Sequence, residues 1–192
     1  MARVIKEYLW YKEGITWSKI CSSKPTFRYL RSDSTYDEVN ITPNHNEDLY
    51  SILGVLNTKV IGKLLDIINP TFSVQTENIL SMPYKYDKEI EAITLSCITL
   101  SREDWDSHET SWDFQTNELV SIEPEEGEES NTLEWRMKKY KQKWEDKFCQ
   151  LHQNEEELNR QFIQIYGLED ELTPDVPLDE ITILQQGEIS IK

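Results

Sequence analysis

The chain lacks any cysteine pair at metal-ligand or redox spacing. Its three cysteines, Cys21, Cys97 and Cys149, stand far apart, are odd in number, and form no C-x-x-C. A zinc cage and a disulfide framework are therefore not expected, and a reducing cytoplasm suits the chain. Uninterrupted apolar runs of about 18 residues are also missing, so no membrane span is expected. Met1 is followed by Ala2-Arg3-Val4-Ile5-Lys6, without the apolar centre of a signal peptide. Glycine is scarce: Gly14, Gly54, Gly62, Gly127, Gly167 and Gly187 never cluster, which leaves no Gly-rich strand-to-helix loop. The three histidines, His45, His108 and His152, lie in separate regions without ligand spacing. No local signature surrounds a serine or cysteine nucleophile. Metal-dependent and hydrolytic chemistry are not expected here.

What is present is enough for a folded core. A length of 192 residues fits one domain with an extension, or two small domains. With 38% hydrophobic and 10% aromatic residues, the chain is not compositionally disordered. The formal charge of −16 argues against nucleic acid if taken whole. Its distribution changes that reading. Residues 1–31 hold seven basic and two acidic residues, a net of +5; residues 1–100 hold eleven and twelve, a net of −1; residues 101–192 hold nine and twenty-four, a net of −15. A basic face can still bind phosphates within an acidic protein, because screening limits the reach of charge to about 10 Å.

Residues 3–41 read as strands, with Trp10, Tyr11, Ile15, Trp17, Phe27, Tyr29 and Val39 as β-formers and Gly14 and Ser22-Ser23-Lys24-Pro25 as turns. Residues 47–68 read as one helix: Leu49, Ile52, Leu53, Leu56, Val60, Leu64, Ile67 and Ile68 recur at three- and four-residue steps. Asn69 before Pro70 ends it. Residues 87–98 predict a short helix with Ile90, Ile93 and Cys97 on one face, and Ser101 with Asp104 opens a further turn. Glu123 to Asn131 is an acidic linker. Thr132 to Tyr166 reads as one long helix of about 50 Å, with an apolar stripe of Met137, Tyr140, Trp144, Phe148, Leu151, Leu158, Phe162 and Ile165. Gly167 stops it. That stripe is expected to pack on Trp105, Trp112 and Phe114, or on a second copy of itself. Lys138, Lys139, Lys141, Lys143 and Lys147 make a basic face.

Two motifs deserve weighing. Asn69-Pro70-Thr71-Phe72 approaches the Asn/Asp-Pro-Pro-Tyr/Phe motif with which amino-methyltransferases hold a flipped adenine. Its third residue is Thr, and it follows a helix rather than a strand, so it reads as a helix-terminating turn. The basic, hydroxyl-rich segment is the candidate contact surface: Lys19, Ser22, Ser23, Lys24, Arg28 and Arg31, with Trp17 and Tyr29 between them. Lysines and serines hold phosphate oxygens, and arginines can read guanine edges bidentately. The same residues also suit an ordinary strand–turn–strand surface.

A resemblance tips that balance. Ser101 to Phe114 (S-R-E-D-W-D-S-H-E-T-S-W-D-F), Asn154 to Ile183, Ile15 to Ile20 (I-T-W-S-K-I) and Leu56 to Gln75 resemble, in order, segments of the adenine-specific DNA methyltransferases of BREX phage-defence systems, the PglX family. They correspond to the region C-terminal to the methyltransferase domain. The resemblance implies an α+β fold: a strand-rich target-recognition domain over 1–100, similar to those of TaqI-like methyltransferases and Type I specificity subunits, then a Trp-rich connection over 101–122 and a long helix with an extended segment over 132–183. It implies contact with double-stranded DNA through Trp17, Lys19, Ser22, Ser23, Lys24, Arg28, Tyr29 and Arg31. It implies no activity or cofactor in this chain, S-adenosylmethionine belonging to the parent enzymes' catalytic part. Partners would be a methyltransferase catalytic domain or other defence-system subunits, or a second copy through the long helix. The alternative is a stand-alone acidic protein that binds or inhibits a methyltransferase, or mimics DNA.

Overall fold

The computed structural model describes residues 6–21, 24–36, 39–45, 48–124 and 132–183. Most of the acidic linker (125–131) lies outside the described residues, as do Ser22 and Ser23. The chain divides into two compact units: Met1–Leu95 with Glu157–Pro174, and Ser96–Glu156 with Asp175–Lys192. The fold is mixed α+β, as the sequence implies, with helices dominant.

The first unit is built on a three-stranded antiparallel sheet, order β2-β1-β3, of β1 (Gly14–Trp17), β2 (Phe27–Leu30) and β3 (Asn40–Ile41). Period-two alternation puts Ile15 and Trp17 on one face, and both are buried. Trp17 lies opposite Phe27 with ring centroids 5.5 Å apart, an aromatic cross-strand pair of the kind that stabilises sheets. The Trp17 indole N–H donates to the Val74 carbonyl at 3.1 Å, so the buried ring leaves no donor unpaired.

Helices cover that face. The predicted single helix over 47–68 is two: α1 (Asp48–Leu56) and α2 (Lys59–Ile68). The break has a tertiary cause. The Asn57 side-chain amide bonds both to the Phe27 backbone and to the Leu53 carbonyl of α1. Thr58 is extended (φ −79, ψ 161), and its hydroxyl donates to the Val55 carbonyl at 2.7 Å. The first exposed amide of α2, Lys59 N, then donates to Asn159 Oδ1 at 2.9 Å, a cap supplied a hundred residues away. Asn159 also donates to the Pro174 carbonyl. A short helix, α3 (Thr76–Leu80), follows behind a Gln75/Asn78 capping box. Gly54 marks a close helix crossing: a Cβ there would lie 2.5 Å from Thr94 Oγ1 and 3.1 Å from Ile90 Cγ2.

The helix expected over 87–98 is longer. As α4 it runs from Glu89 to Asp106, so Ser101 and Asp104 sit inside it rather than opening a new turn. It begins with Glu89 N donating to Asp87 Oδ1 at 2.8 Å and ends where the Ser107 hydroxyl takes the Asp104 carbonyl. α5 (Glu118–Ser121) is capped by Asn117. The long helix, α6 (Leu133–Tyr166), holds 34 residues as one element. Gly167 ends it at φ 70, with Leu168 N bonding to Ile163 O and Gly167 N to Gln164 O. That is a Schellman cap, which favours glycine at this position.

In the second unit, Leu100, Leu151, Val176, Ile181 and Ile183 form a core against which Cys97 and Phe148 pack. Trp144 is also buried. Its indole N–H donates to Glu118 Oε2 at 2.9 Å, while Lys143 holds Glu118 Oε1 at 2.8 Å and Arg136 donates to the carbonyls of Leu119 and Val120. Glu118 of α5 thus satisfies the buried indole of Trp144. Trp105 is 60% exposed and Trp112 fully exposed, which corrects the expectation that these tryptophans would bury the stripe of α6.

Candidate nucleic-acid interface

The structure does not gather the candidate contact residues on one face. Trp17 is a core residue: buried, paired with Phe27, its N–H spent on Val74. Its ring lies in the core, at 4% exposure. Tyr29 lies on the same side of β2 as Phe27 and stacks on Tyr50 of α1, centroids 6.3 Å apart at 25°. Alternation sends Arg28 to the opposite, exposed face, across from Thr16.

The cations differ in how they are held. Lys24 is exposed, yet its ammonium donates to the Asn57 carbonyl at 3.2 Å and its stem covers Gly62. It therefore balances the carbonyl end of α1 as well as facing solvent. Arg31 pairs with Asp33 at 2.6 Å, both half-exposed; such a surface pair is weak and can be exchanged for a phosphate. Lys19 is half-buried, and its backbone carbonyl accepts from Val74 N. Ser22 and Ser23 lie outside the described residues. Arg28 and Arg31, with the head of Lys24, are the exposed positive groups of the segment.

Asn69-Pro70-Thr71-Phe72 is a turn that closes α2. Asn69 N bonds to the Leu65 carbonyl, and the Asn69 side chain is occupied by Ser73 O and the Thr71 hydroxyl. Phe72 is 71% exposed. Of the described glycines, Gly14 opens β1, Gly54 and Gly62 lie within helices, and Gly167 ends one. None sits at a strand-to-helix junction. Among the described residues no group of three or more His, Cys, Asp or Glu is placed to hold a metal, and no helix is long and apolar enough to cross a membrane.

Sequence reasoning missed one feature of this unit, a cleft walled by Trp10, Tyr11, Thr35 and Tyr36. Trp10 and Tyr11 read as β-formers of the strand-like segment; instead Trp10 caps a helical turn over Glu7–Leu9 and Tyr11 takes a left-handed backbone (φ 54).

The proteins similar to this chain are adenine-specific methyltransferases. It is 33% identical over 177 residues to the adenine-specific methyltransferase PglX of Lacticaseibacillus casei (strain Zhang), covering 90% of this chain and 15% of that protein. It is 28% identical over 116 residues to the adenine-specific methyltransferase BrxX of Escherichia coli O9:H4 (strain HS), covering 58% of this chain and 10% of that protein. The chain is thus homologous to a small part of these enzymes. No protein-family model matches it.

Proposed function

We propose that this chain is a DNA target-recognition module of an adenine-specific methyltransferase, comparable in role to the recognition domains of TaqI-like enzymes and Type I specificity subunits. The observation that supports this reading most is the 33% identity to PglX across 90% of the chain. In this reading the bulk of such an enzyme, which this chain does not span, binds S-adenosylmethionine and transfers the methyl group. Arg31 and Lys24 hold phosphate oxygens, and Arg28, on the outer face of β2, reaches a groove edge.

Fluorescence anisotropy with a labelled duplex tests it. Binding is expected to be weak and salt-sensitive, the slope of log affinity against log salt falling by about 0.9 for each phosphate contact removed. Arg28→Glu and Arg31→Glu should weaken it. Lys24→Glu is less informative, because Lys24 also holds the end of α1. Absence of binding at about 50 mM salt overturns the reading for the isolated chain.

A second reading has its own support in the other unit. Trp112 is fully exposed on a turn among Asp104, Asp106, Glu109 and Asp113, within the half of the chain whose net charge is −15. Such a surface suits a basic protein partner, as the acidic-interaction alternative requires. Loss of a protein complex in Trp112→Ala with duplex binding intact would favour it.

A further inference from the structure

The cleft between Trp10, Tyr11, Thr35 and Tyr36 has a volume of about 290 Å³. It follows a single helical turn, Glu7–Leu9, closed by Leu9 N to Lys6 O and Trp10 N to Glu7 O. The chain leaves that turn through Tyr11 at φ 54. A bulky aromatic in the left-handed region is uncommon, and glycine adopts that backbone without the steric cost. Strain of this sort persists where the surrounding structure imposes it, and it clusters at ligand-binding and active sites. The Tyr11 ring is 62% exposed and Trp10 43%, so burial does not repay the strain. What the backbone achieves is an outward aromatic pair facing a third ring and a threonine hydroxyl.

The chemistry of the walls selects the ligand. Three rings and a hydroxyl suit a flat, polar-edged ring better than an aliphatic chain. The segment leading into the cleft, residues 1–31, is net +5, and Lys12 is exposed next to Tyr11; on the Thr35–Tyr36 side Asp33 is paired with Arg31, and Asp37 and Glu38 follow in the sequence. Stacking aromatics beside cations is how proteins hold the bases of an unpaired strand while its phosphates are neutralised. A base within a duplex shows only its edges, so the occupant has to be unstacked.

We propose that the Trp10–Tyr11–Thr35–Tyr36 cleft binds an unstacked nucleobase of a DNA strand. This rests on the DNA-reading role proposed above and adds to it a subsite away from the outer face of β2. The test compares anisotropy for a single-stranded oligonucleotide of about 20 nucleotides, its duplex and adenosine monophosphate. The proteins are the wild-type chain, Tyr11→Phe and Tyr11→Gly. Tyr11→Gly removes the ring and relieves the backbone, so single-strand affinity should fall about tenfold while the melting temperature holds or rises. Tyr11→Phe should bind as the wild type does. Unchanged single-strand binding in Tyr11→Gly, or a lower melting temperature with it, overturns the cleft. Adenosine monophosphate binding as tightly as the strand overturns its assignment to a strand. The two proposals separate cleanly. Loss of strand binding in Tyr11→Gly with duplex binding untouched by Arg28→Glu leaves the cleft standing and removes Arg28 from the interface. The reverse pattern removes the cleft alone.

Discussion

Asn57 closes the free edge of β2 by pairing with Phe27 as a strand would: its Oδ1 accepts from Phe27 N at 3.0 Å, and its Nδ2 donates to Phe27 O at 3.0 Å. β2 is an outer strand of the sheet, and an unpaired edge is a liability that folds cover. One side chain thereby ends α1, separates it from α2 and fixes the start of the strand that carries Arg28.

Asn57→Ala removes both bonds to Phe27 and the one to the Leu53 carbonyl, and should cost about 1–3 kcal/mol in urea unfolding. Asn57→Asp keeps the acceptor but sets a carboxylate oxygen against the Phe27 carbonyl, and should be at least as damaging. Equal unfolding midpoints for both variants and the wild type would show that the pairing contributes nothing.

Trp144→Ala should cost about 3–5 kcal/mol, the range for a fully buried large aromatic, because the indole is 1% exposed and its N–H is bonded to Glu118. Lys139→Ala, on the exposed side of α6, should be nearly neutral. Since Trp144 is already buried within the single chain, melting should not depend on protein concentration. A melting temperature that climbs with concentration would point to a second chain pairing through α6.

The long helix was legible because 34 residues keep one periodicity and finish at a glycine that the C-cap requires. So was the α+β class, from β-formers in residues 3–41 followed by helical spacing. The break at Asn57-Thr58 was not. The apolar steps run straight through it, and only the tertiary partners Phe27 and Asn159 make it worthwhile. The extension of α4 past residue 98 was hidden for the opposite reason: Ser101 to Asp106 carries no apolar stripe, yet the helix continues. At the candidate interface, residue type alone could not separate Trp17, which packs on Phe27, from Arg28 one strand away, which faces water.

Gly54→Ala should destabilise although alanine is the better helix former by about 1 kcal/mol. The added methyl would meet the stiff, buried Thr94 at 2.5 Å, and overpacking typically costs about 1–3 kcal/mol. Thr94→Val should be neutral or stabilising, because Thr94 Oγ1 is buried with no hydrogen-bond partner among the described residues. Thermal melting of both variants checks the pair; a stable Gly54→Ala protein would show that the helices do not cross this closely.

Burial, and secondarily the charge of Glu155, pushes the Cys97 thiol up from 9.0 to about 12. At pH 8 it should resist iodoacetamide while the exposed Cys149 is alkylated. A group raised in the folded state contributes stability that is whole below its unfolded value and lost above it. The chain should therefore lose stability as pH climbs from about 9 to about 12, and Cys97→Ala should flatten that decline. Tyr84 and Tyr166, both raised chiefly by burial, leave a residual slope in the same direction. Rapid alkylation of Cys97 in the native protein would contradict its packing against the core of the second unit.

The central claim is that this chain selects a DNA sequence for an adenine-specific methyltransferase, and the most direct measurement is an exchange. In the Lacticaseibacillus casei relative, the residues that match this chain are replaced by those of this chain, and modified adenines are mapped across the host genome. The account predicts methylation at a sequence different from that of the parent enzyme, with Arg28→Glu in the chimera reducing or relaxing it. Methylation that continues at the parent's own sequence would contradict it.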